Sequence, residues 1–349
     1  MGFRGGTAPI RKIKNHPGLL HYFCFLFFLN LVGGGYETLS AAPGQTARAV
    51  RSFQEFVVVV PGEGDTFSSL AAKYLQDPSW DWFIAEFNGV DSPRVGQSLV
   101  IPLKPEKRGG ITLQGYQTVP VLAYHNFSST EAGKLTVTQA MFEQQMRFLQ
   151  EAGYRVITLD QLFDFLEFRG SIPPKSVVIT IDDGWLSAYE IAFPILKKYG
   201  YPAAFFVYTD IIGKSSKNLS WELLGKMADE GMGVQCHTKS HRNLAVPGEK
   251  ESFKDYFENL GAELSGCKDT IKKRLNREVK YLAYPYGATN SLVVETAKKL
   301  GYRGALTIIR GGNPFFIHNF KVNRSEIHGD FGLSRFERNL AVFQEQNLR

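Results

Sequence analysis

From residue 117 onward the apolar positions of the chain fall into two alternating patterns. Short runs rich in Val, Ile, Phe and Tyr alternate with longer segments whose apolar residues recur every three to four positions. The first pattern predicts buried strands and the second predicts amphipathic helices. Strands are expected at Val119–Tyr124, Arg155–Thr158, Val177–Ile181, Ala203–Tyr208, Gly233–Cys236, Tyr281–Tyr284, Ala305–Ile308 and Phe320–Ile327. Helices are expected at Thr138–Glu151, Leu162–Phe168, Leu186–Tyr199, Trp221–Asp229, Phe253–Leu275, Ser291–Leu300 and Ser334–Phe343. Alternation of this kind predicts an α/β fold on a parallel sheet, and this number of strands favours a barrel over an open sheet. The run Val177–Ile181 is apolar and β-branched but for Thr180, and it ends on two adjacent carboxylates, Asp182 and Asp183, followed by Gly184. At the carboxyl end of a buried parallel strand such residues open into the cleft where α/β enzymes place their chemistry.

A different pattern occupies residues 55–103. An apolar strand at Phe56–Val60 leads through a turn into a helix at Phe67–Tyr74, with Asp65 or Thr66 as its cap. Asp77-Pro78 breaks that helix, a second follows at Trp80–Phe87 and ends at Asn88-Gly89, and Leu99–Pro102 closes the unit as a strand. This βααβ order, with GDTFSSLAAKY, IAEFNG and VGQSLVIP, resembles the LysM glycan-binding module, slightly lengthened around Gln76–Asp81. The resemblance implies binding of β-1,4-linked N-acetylglucosamine polymers. Residues 43–53 read as a polar linker, and residues 104–116, with Pro105, Lys107, Arg108, Gly109 and Gly110, as an exposed one. The remainder, residues 117–349, is the expected catalytic domain.

Composition adds location. Residues 1–42 pair a basic start (Arg4, Arg11, Lys12, Lys14) with the apolar run Leu19–Val32 and the small residues Ser40, Ala41 and Ala42. That is a signal peptide or an uncleaved N-terminal anchor, and it predicts a secreted, periplasmic or envelope-associated protein. Any membrane association is expected through that segment alone. The net charge of +6 lies partly in the same segment, and no basic stripe with interleaved aromatics is present, so a nucleic-acid partner is not expected. Beyond it only Cys236 and Cys267 remain, enough for one disulfide but not for a disulfide scaffold.

The histidines point to chemistry. His125, His237, His241 and His328 stand at or just after strand ends, as Asp182 and Asp183 do. In a parallel barrel those ends share one mouth. His237 and His241, four apart, can bind one ion, and two His with one carboxylate leave coordination positions open for catalysis. That set suits metal-assisted hydrolysis and also non-haem iron oxygenases. The second adjacent carboxylate favours hydrolysis, because a water activated by the ion needs a nearby base.

Together TIDDGW (Thr180–Trp185), HTKSH (His237–His241), YPYG (Tyr284–Gly287) and EIH (Glu326–His328) resemble the motif series of the polysaccharide deacetylases, carbohydrate esterase family 4. The resemblance covers about Val119 to Phe331. It implies a deformed (β/α) barrel that removes N-acetyl groups from an N-acetylated glycan polymer with a divalent metal, Zn²⁺ first and Co²⁺, Ni²⁺ or Fe²⁺ as alternatives. Carried over by position, Asp182 is the base, Asp183, His237 and His241 are the metal ligands, and His328 is the general acid. Tyr286 supplies an oxyanion-binding backbone N–H, and Tyr284, Pro285, Trp185 and His125 line the substrate cleft. One departure stands out. Where many members carry an arginine that pairs with the base, this chain has Ala283, and Arg324 is the candidate replacement. The LAYH stretch (Leu122–His125) is similar to the branch acting on poly-N-acetylglucosamine exopolysaccharide, whereas the LysM resemblance points to peptidoglycan or chitin-like chains. The rival reading is a non-catalytic glycan-binding protein on a degenerate barrel.

Overall fold

In a computed structural model that describes residues 48–103 and 110–347, the apolar runs of the N-terminal unit form strands and helices in the expected order. They are β1 (Arg48–Ser52), β2 (Phe56–Val60), α1 (Phe67–Leu75), α2 (Asp81–Asn88) and β3 (Leu99–Pro102). The antiparallel sheet runs β1-β2-β3, so β1 adds a strand inside the segment expected as a linker. Thr66 starts α1 with a reciprocal cap: its Oγ1 accepts from Ser69 N at 3.0 Å, and Ser69 Oγ accepts from Thr66 N at 3.0 Å. Gly89 ends α2 in the left-handed conformation at φ 64°. Val57, Val59, Leu70, Ile84, Leu99 and Ile101 form the core, each large aliphatic contributing about 1.5–3 kcal/mol on full burial. The expected targeting segment 1–42 and residues 104–109 of the expected linker lie outside the described residues. Among the described residues no helix is long and apolar enough to cross a membrane.

The second compact unit runs from Lys104. It opens with β4 (Ile111–Thr112) and β5 (Gly115–Val119), then β6 (Val121–Tyr124), β7 (Asn126–Ser128), β8 (Thr136–Thr138), α3 (Gln139–Glu151), β9 (Arg155–Val156) and α4 (Leu159–Leu166). The central strand is β10 (Ser176–Asp183), followed by α5 (Phe193–Tyr199), β11 (Ala204–Val207), α6 (Trp221–Asp229) and β12 (Gly233–Cys236). Then come α7 (Phe253–Leu275), β13 (Tyr281–Ala283), α8 (Ser291–Lys299), β14 (Gly304–Leu306), β15 (Asn313–Pro314), β16 (Ser325–Glu326), α9 (Leu333–Glu337) and β17 (Phe343–Glu345).

The fold corrects three expectations. Residues 111–116, read as linker, belong to a hairpin: β4 and β17 both pair antiparallel with β5. Gly115, at φ 152° with the backbone of Gln344 against it, permits that close pairing. The last helix stops at Glu337, and Phe343 lies in β17 instead. The last strand is only Ser325–Glu326, because the residues before it cross to the far edge of the sheet.

The main sheet is parallel, in the order β14-β13-β12-β11-β10-β6-β16, with β9 beside β10. The segment before β16 meets the β14 edge through the Leu306–Val322 bridge, with Arg324 N also donating to Ile309 O at 3.0 Å and Ala305 N to Asn319 O at 2.9 Å, so the sheet curves round into a deformed barrel. Strand parity sorts the side chains. Val177, Ile179 and Ile181 face outward into the large core under the helices, and Val178 faces the barrel interior with Val121, Phe206, Ala283 and Val322. The inward positions continue from Val178 through Thr180 to Asp182. The same parity aims His125, His237, Arg324, Glu326 and His328 inward at the mouth, because successive strand residues alternate faces.

Candidate metal centre and active site

Asp182 is 1% exposed and Arg324 fully buried, and they form a two-pronged ion pair. Arg324 Nη1 donates to Asp182 Oδ1 and Nη2 to Asp182 Oδ2, each at 2.8 Å. The guanidinium is itself fixed, with Nε donating to Thr307 O at 2.8 Å and Nη1 to Thr180 Oγ1 at 3.2 Å. The space left where Ala283 stands is thus served by an arginine from elsewhere in the barrel. Burial alone would raise the Asp182 carboxyl, but Arg324, then His237 and His125, hold it down at about 2. Asp182 is therefore a carboxylate at neutral pH, with both oxygens occupied by the arginine.

Asp183 follows directly, and by parity it should point away. It does not, because its backbone turns left-handed at φ 77° and Gly184 continues the turn at φ 98°. A non-glycine residue at positive φ is strained, and strain of this kind gathers at functional sites. The turn swings the Asp183 carboxylate into the mouth. Trp185 Nε1 donates to its Oδ2 at 3.0 Å, leaving Oδ1 towards the histidines. Trp185, expected against substrate, is here a clamp on Asp183.

His237 follows β12, and its backbone N–H donates to Val207 O at 2.9 Å. Its Nδ1 lies 2.8 Å from Ala283 O, which orients Nε2 to the mouth. Burial pulls its pKa down to about 4, against the raising effect of Asp182 and Asp183, so the ring is neutral at pH 7. His241 Nε2 lies 3.5 Å, and His237 Nε2 3.7 Å, from Asp183 Oδ1. The donor atoms of Asp183, His237 and His241 all fall within 4.8 Å of one another. One carboxylate oxygen and two imidazole nitrogens fit a divalent cation with positions left open. The ring of His241 packs between Tyr208 and Tyr286, at centroid distances of 5.0 and 4.9 Å.

The remaining expected residues divide. Tyr286 stands at the mouth, 64% exposed, in a left-handed turn at φ 60°. Tyr284 is 0% exposed and donates to Phe320 O at 3.1 Å, and Pro285 is also buried. Neither lines the cleft. Tyr284 is on the outward parity of β13, under the helices, and Pro285 sits beneath the turn it begins. Register separates His125 and His328. Ile181 of β10 pairs with Tyr124 of β6, which places His125 beside Asp182. β16 pairs on the other side of β6, Glu326 opposite Ala123, so His328 lies one strand further out. Glu326 sits between the two rings, 4.0 Å from His125 Nε2 and 3.9 Å from His328 Nε2. The motif pattern assigns Glu326 no role, although its inward parity with Arg324 and His328 is a signal that could have found it.

Known proteins resemble this second unit. A family model for polysaccharide deacetylase matches residues 169–305. The poly-beta-1,6-N-acetyl-D-glucosamine N-deacetylase of Staphylococcus aureus is 28% identical over 211 residues, spanning 58% of this chain and 72% of the relative. The structure of IcaB from Ammonifex degensii superposes with a TM-score of 0.58 at 27% identity, covering 65% of this chain and 99% of that one. The Streptococcus pyogenes deacetylase PplD, in complex with acetate, superposes with a TM-score of 0.59 at 25% identity over 65% of this chain and 99% of its own. Residues 169–305 of the second unit therefore resemble a polysaccharide deacetylase domain, and the named relatives and structures support an enzyme that removes acetyl groups from polysaccharide.

Proposed function

We propose that this enzyme hydrolyses the N-acetyl groups of an N-acetylglucosamine polysaccharide outside the cytoplasm, releasing acetate. The observation that carries the reading is the buried Arg324–Asp182 pair one residue from the Asp183, His237 and His241 triad. Asp183, His237 and His241 would hold a divalent ion, Zn²⁺ in our reading, which would supply Lewis acidity at the acetyl group. Asp182, kept anionic by Arg324, takes the proton from the attacking water. The backbone N–H of Tyr286 faces the oxyanion that develops at the acetyl carbon, a large term in such reactions. The amine leaves with a proton from an imidazole at the mouth.

The family resemblance gives that last role to His328. One observation favours His125: it lies a single strand from Asp182 and is among the groups whose charge acts on that carboxylate. His125→Ala should then lower kcat about 10²–10⁴-fold with metal content unchanged, and His328→Ala should lower it less. The opposite ranking would return the role to His328.

The relatives named for poly-β-1,6-linked glycan support an exopolysaccharide of that type as substrate, and the LysM-like unit supports a cell-wall or chitin-like polymer. Acetate release should be measured on poly-N-acetylglucosamine, peptidoglycan and chitin oligomers, with chelator and after Zn²⁺ restoration. We expect release on at least one polymer, loss on chelation and recovery with metal. Absence of acetate from all three in the metal-loaded enzyme would sink the reading.

The unit at 55–103 is, in the same reading, a LysM module that tethers the enzyme to polymer. Deleting residues 43–110 should lower activity on insoluble glycan and spare short soluble oligomers, because tethering raises effective concentration without touching the chemistry. Equal loss on both substrates would show that the unit shapes the active site instead.

A further inference from the structure

The two histidines of the triad are joined by three residues, and the backbone is strained at both ends of that link. Thr238 is at φ 71° and His241 at φ 65°. For Thr238, β-branched and fully buried, the left-handed region is a genuine outlier. Such a segment keeps its shape only if its surroundings over-determine it. Part of the hold is local: His241 N donates to Thr238 Oγ1 at 2.9 Å, and Asp210 N donates to Lys239 O at 2.9 Å. A further hold comes from one carboxylate on α7.

We propose that Glu263 is a positioning residue for the metal site, holding His237 and His241 in ligating geometry by binding the backbone between them. This rests on the reading of Asp183, His237 and His241 as metal ligands. Glu263 is 9% exposed in the middle of a helix, where a charged side chain without partners would be costly. Its Oε2 accepts from Lys239 N at 3.0 Å and from Ser240 N at 2.8 Å. Its Oε1 accepts from Ser240 Oγ at 2.6 Å. Two successive backbone N–H groups aimed at one carboxylate oxygen form an anion-binding nest, and here the anion is built into the fold. One helical turn along α7, Cys267 is disulfide-bonded to Cys236, the residue before His237. The helix thus grips the segment at two points, just before the first histidine and between the two. His237 has a second hold through Ala283 O, whereas His241, beyond the nest and packed against rings that face the mouth, depends most on the backbone.

The test is metal affinity, measured by calorimetric titration of Zn²⁺ into metal-stripped full-length protein. Glu263→Ala should weaken binding about 10–100-fold, the range typical for residues that hold a metal ligand in place. Glu263→Gln keeps one oxygen for the two N–H groups but loses the charge, so it should fall between Ala and the wild type. Glu258→Ala, on the exposed face of the same helix, should leave affinity unchanged. Amide exchange in the metal-free protein gives a second readout: Lys239 and Ser240 should lose protection in Glu263→Ala. At saturating Zn²⁺ the kcat of Glu263→Ala should return towards the wild-type value. A folded Glu263→Ala protein that binds Zn²⁺ within twofold of the wild type would overturn the inference. If Glu263→Ala does not fold, Glu263→Gln decides, and wild-type affinity there overturns it. A wild-type protein that binds no divalent ion would instead remove the metal reading itself, and this inference with it.

Discussion

Replacing Arg324 by alanine should cost about 3–5 kcal/mol of stability, because it strands a buried carboxylate. Acetate release should fall with it. Arg324 makes both of its terminal nitrogens available to Asp182 at 2.8 Å, in a pocket from which water is excluded. Without it, burial raises the Asp182 carboxyl, and if Asp182 is the base as proposed, the acid limb of the rate profile should move to higher pH. The stability consequence has a definite sign. In the wild type the Asp182 pKa is depressed to about 2, so the pair's contribution is complete above the unfolded carboxyl's pKa and is lost as pH falls through the folded value. In Arg324→Ala the folded pKa is raised, so the penalty is present at neutral pH and relieved in acid. The gap between the two proteins, measured by denaturant titration, should narrow steadily as pH falls from neutral, first because the variant's penalty is relieved and then, below about 4, because the wild type loses its pair. Adding Asp182→Asn to Arg324→Ala should recover much of the stability and none of the activity. Arg324→Lys should not substitute, since an ammonium lacks the planar fork. A folded Arg324→Ala enzyme with an unmoved acid limb would remove the arginine from the mechanism.

The two adjacent aspartates should fail in different ways. On the proposed roles, Asp183→Asn exchanges an anionic metal ligand for a neutral one. Metal content should fall, activity with it, and excess metal should partly restore both. Asp182→Asn leaves the Asp183, His237 and His241 donors in place, so metal should be retained. In the proposed mechanism it removes the proton acceptor, which should cost about 10²–10⁴ in rate, and added metal should not help. Elemental analysis beside acetate release distinguishes the two. Loss and metal rescue in Asp182→Asn would mean the two carboxylates have the reverse roles. The structure gives a reason to expect the assignment made here: both Asp182 oxygens are engaged by Arg324, while Trp185 holds Asp183 Oδ2 and leaves Oδ1 towards the imidazoles.

Much of the site is legible in the chain itself. The continuous apolar run Val177–Ile181 marks a buried strand, and Asp182 and Asp183 fall at its end. Four histidines fall at other strand ends, and a parallel sheet brings such ends to one side. Arg324 stands out because Ala283 leaves Asp182 without the expected cation. These are local readings, and they hold because strand alternation and strand length are properties of a few consecutive residues. The same parity, carried one residue further, places Tyr284 under the helices and Glu326 in the mouth.

What only the tertiary structure decided depends on partners far apart in the chain. Asp183 reaches the mouth through a left-handed turn that no alternation rule anticipates. Trp185 is engaged by Asp183, and Ala283 matters for its carbonyl rather than its side chain. Glu263 looks like any solvated helix carboxylate in the sequence, and its burial follows from a loop more than twenty residues earlier folding onto it. The strand β17 and the hairpin at residues 111–116 pair the two ends of the unit, so neither segment alone carries the signal. Periodicity tells a residue which face it is on. It does not tell which distant backbone will be waiting there, and that long-range pairing turned a set of strand ends into one site.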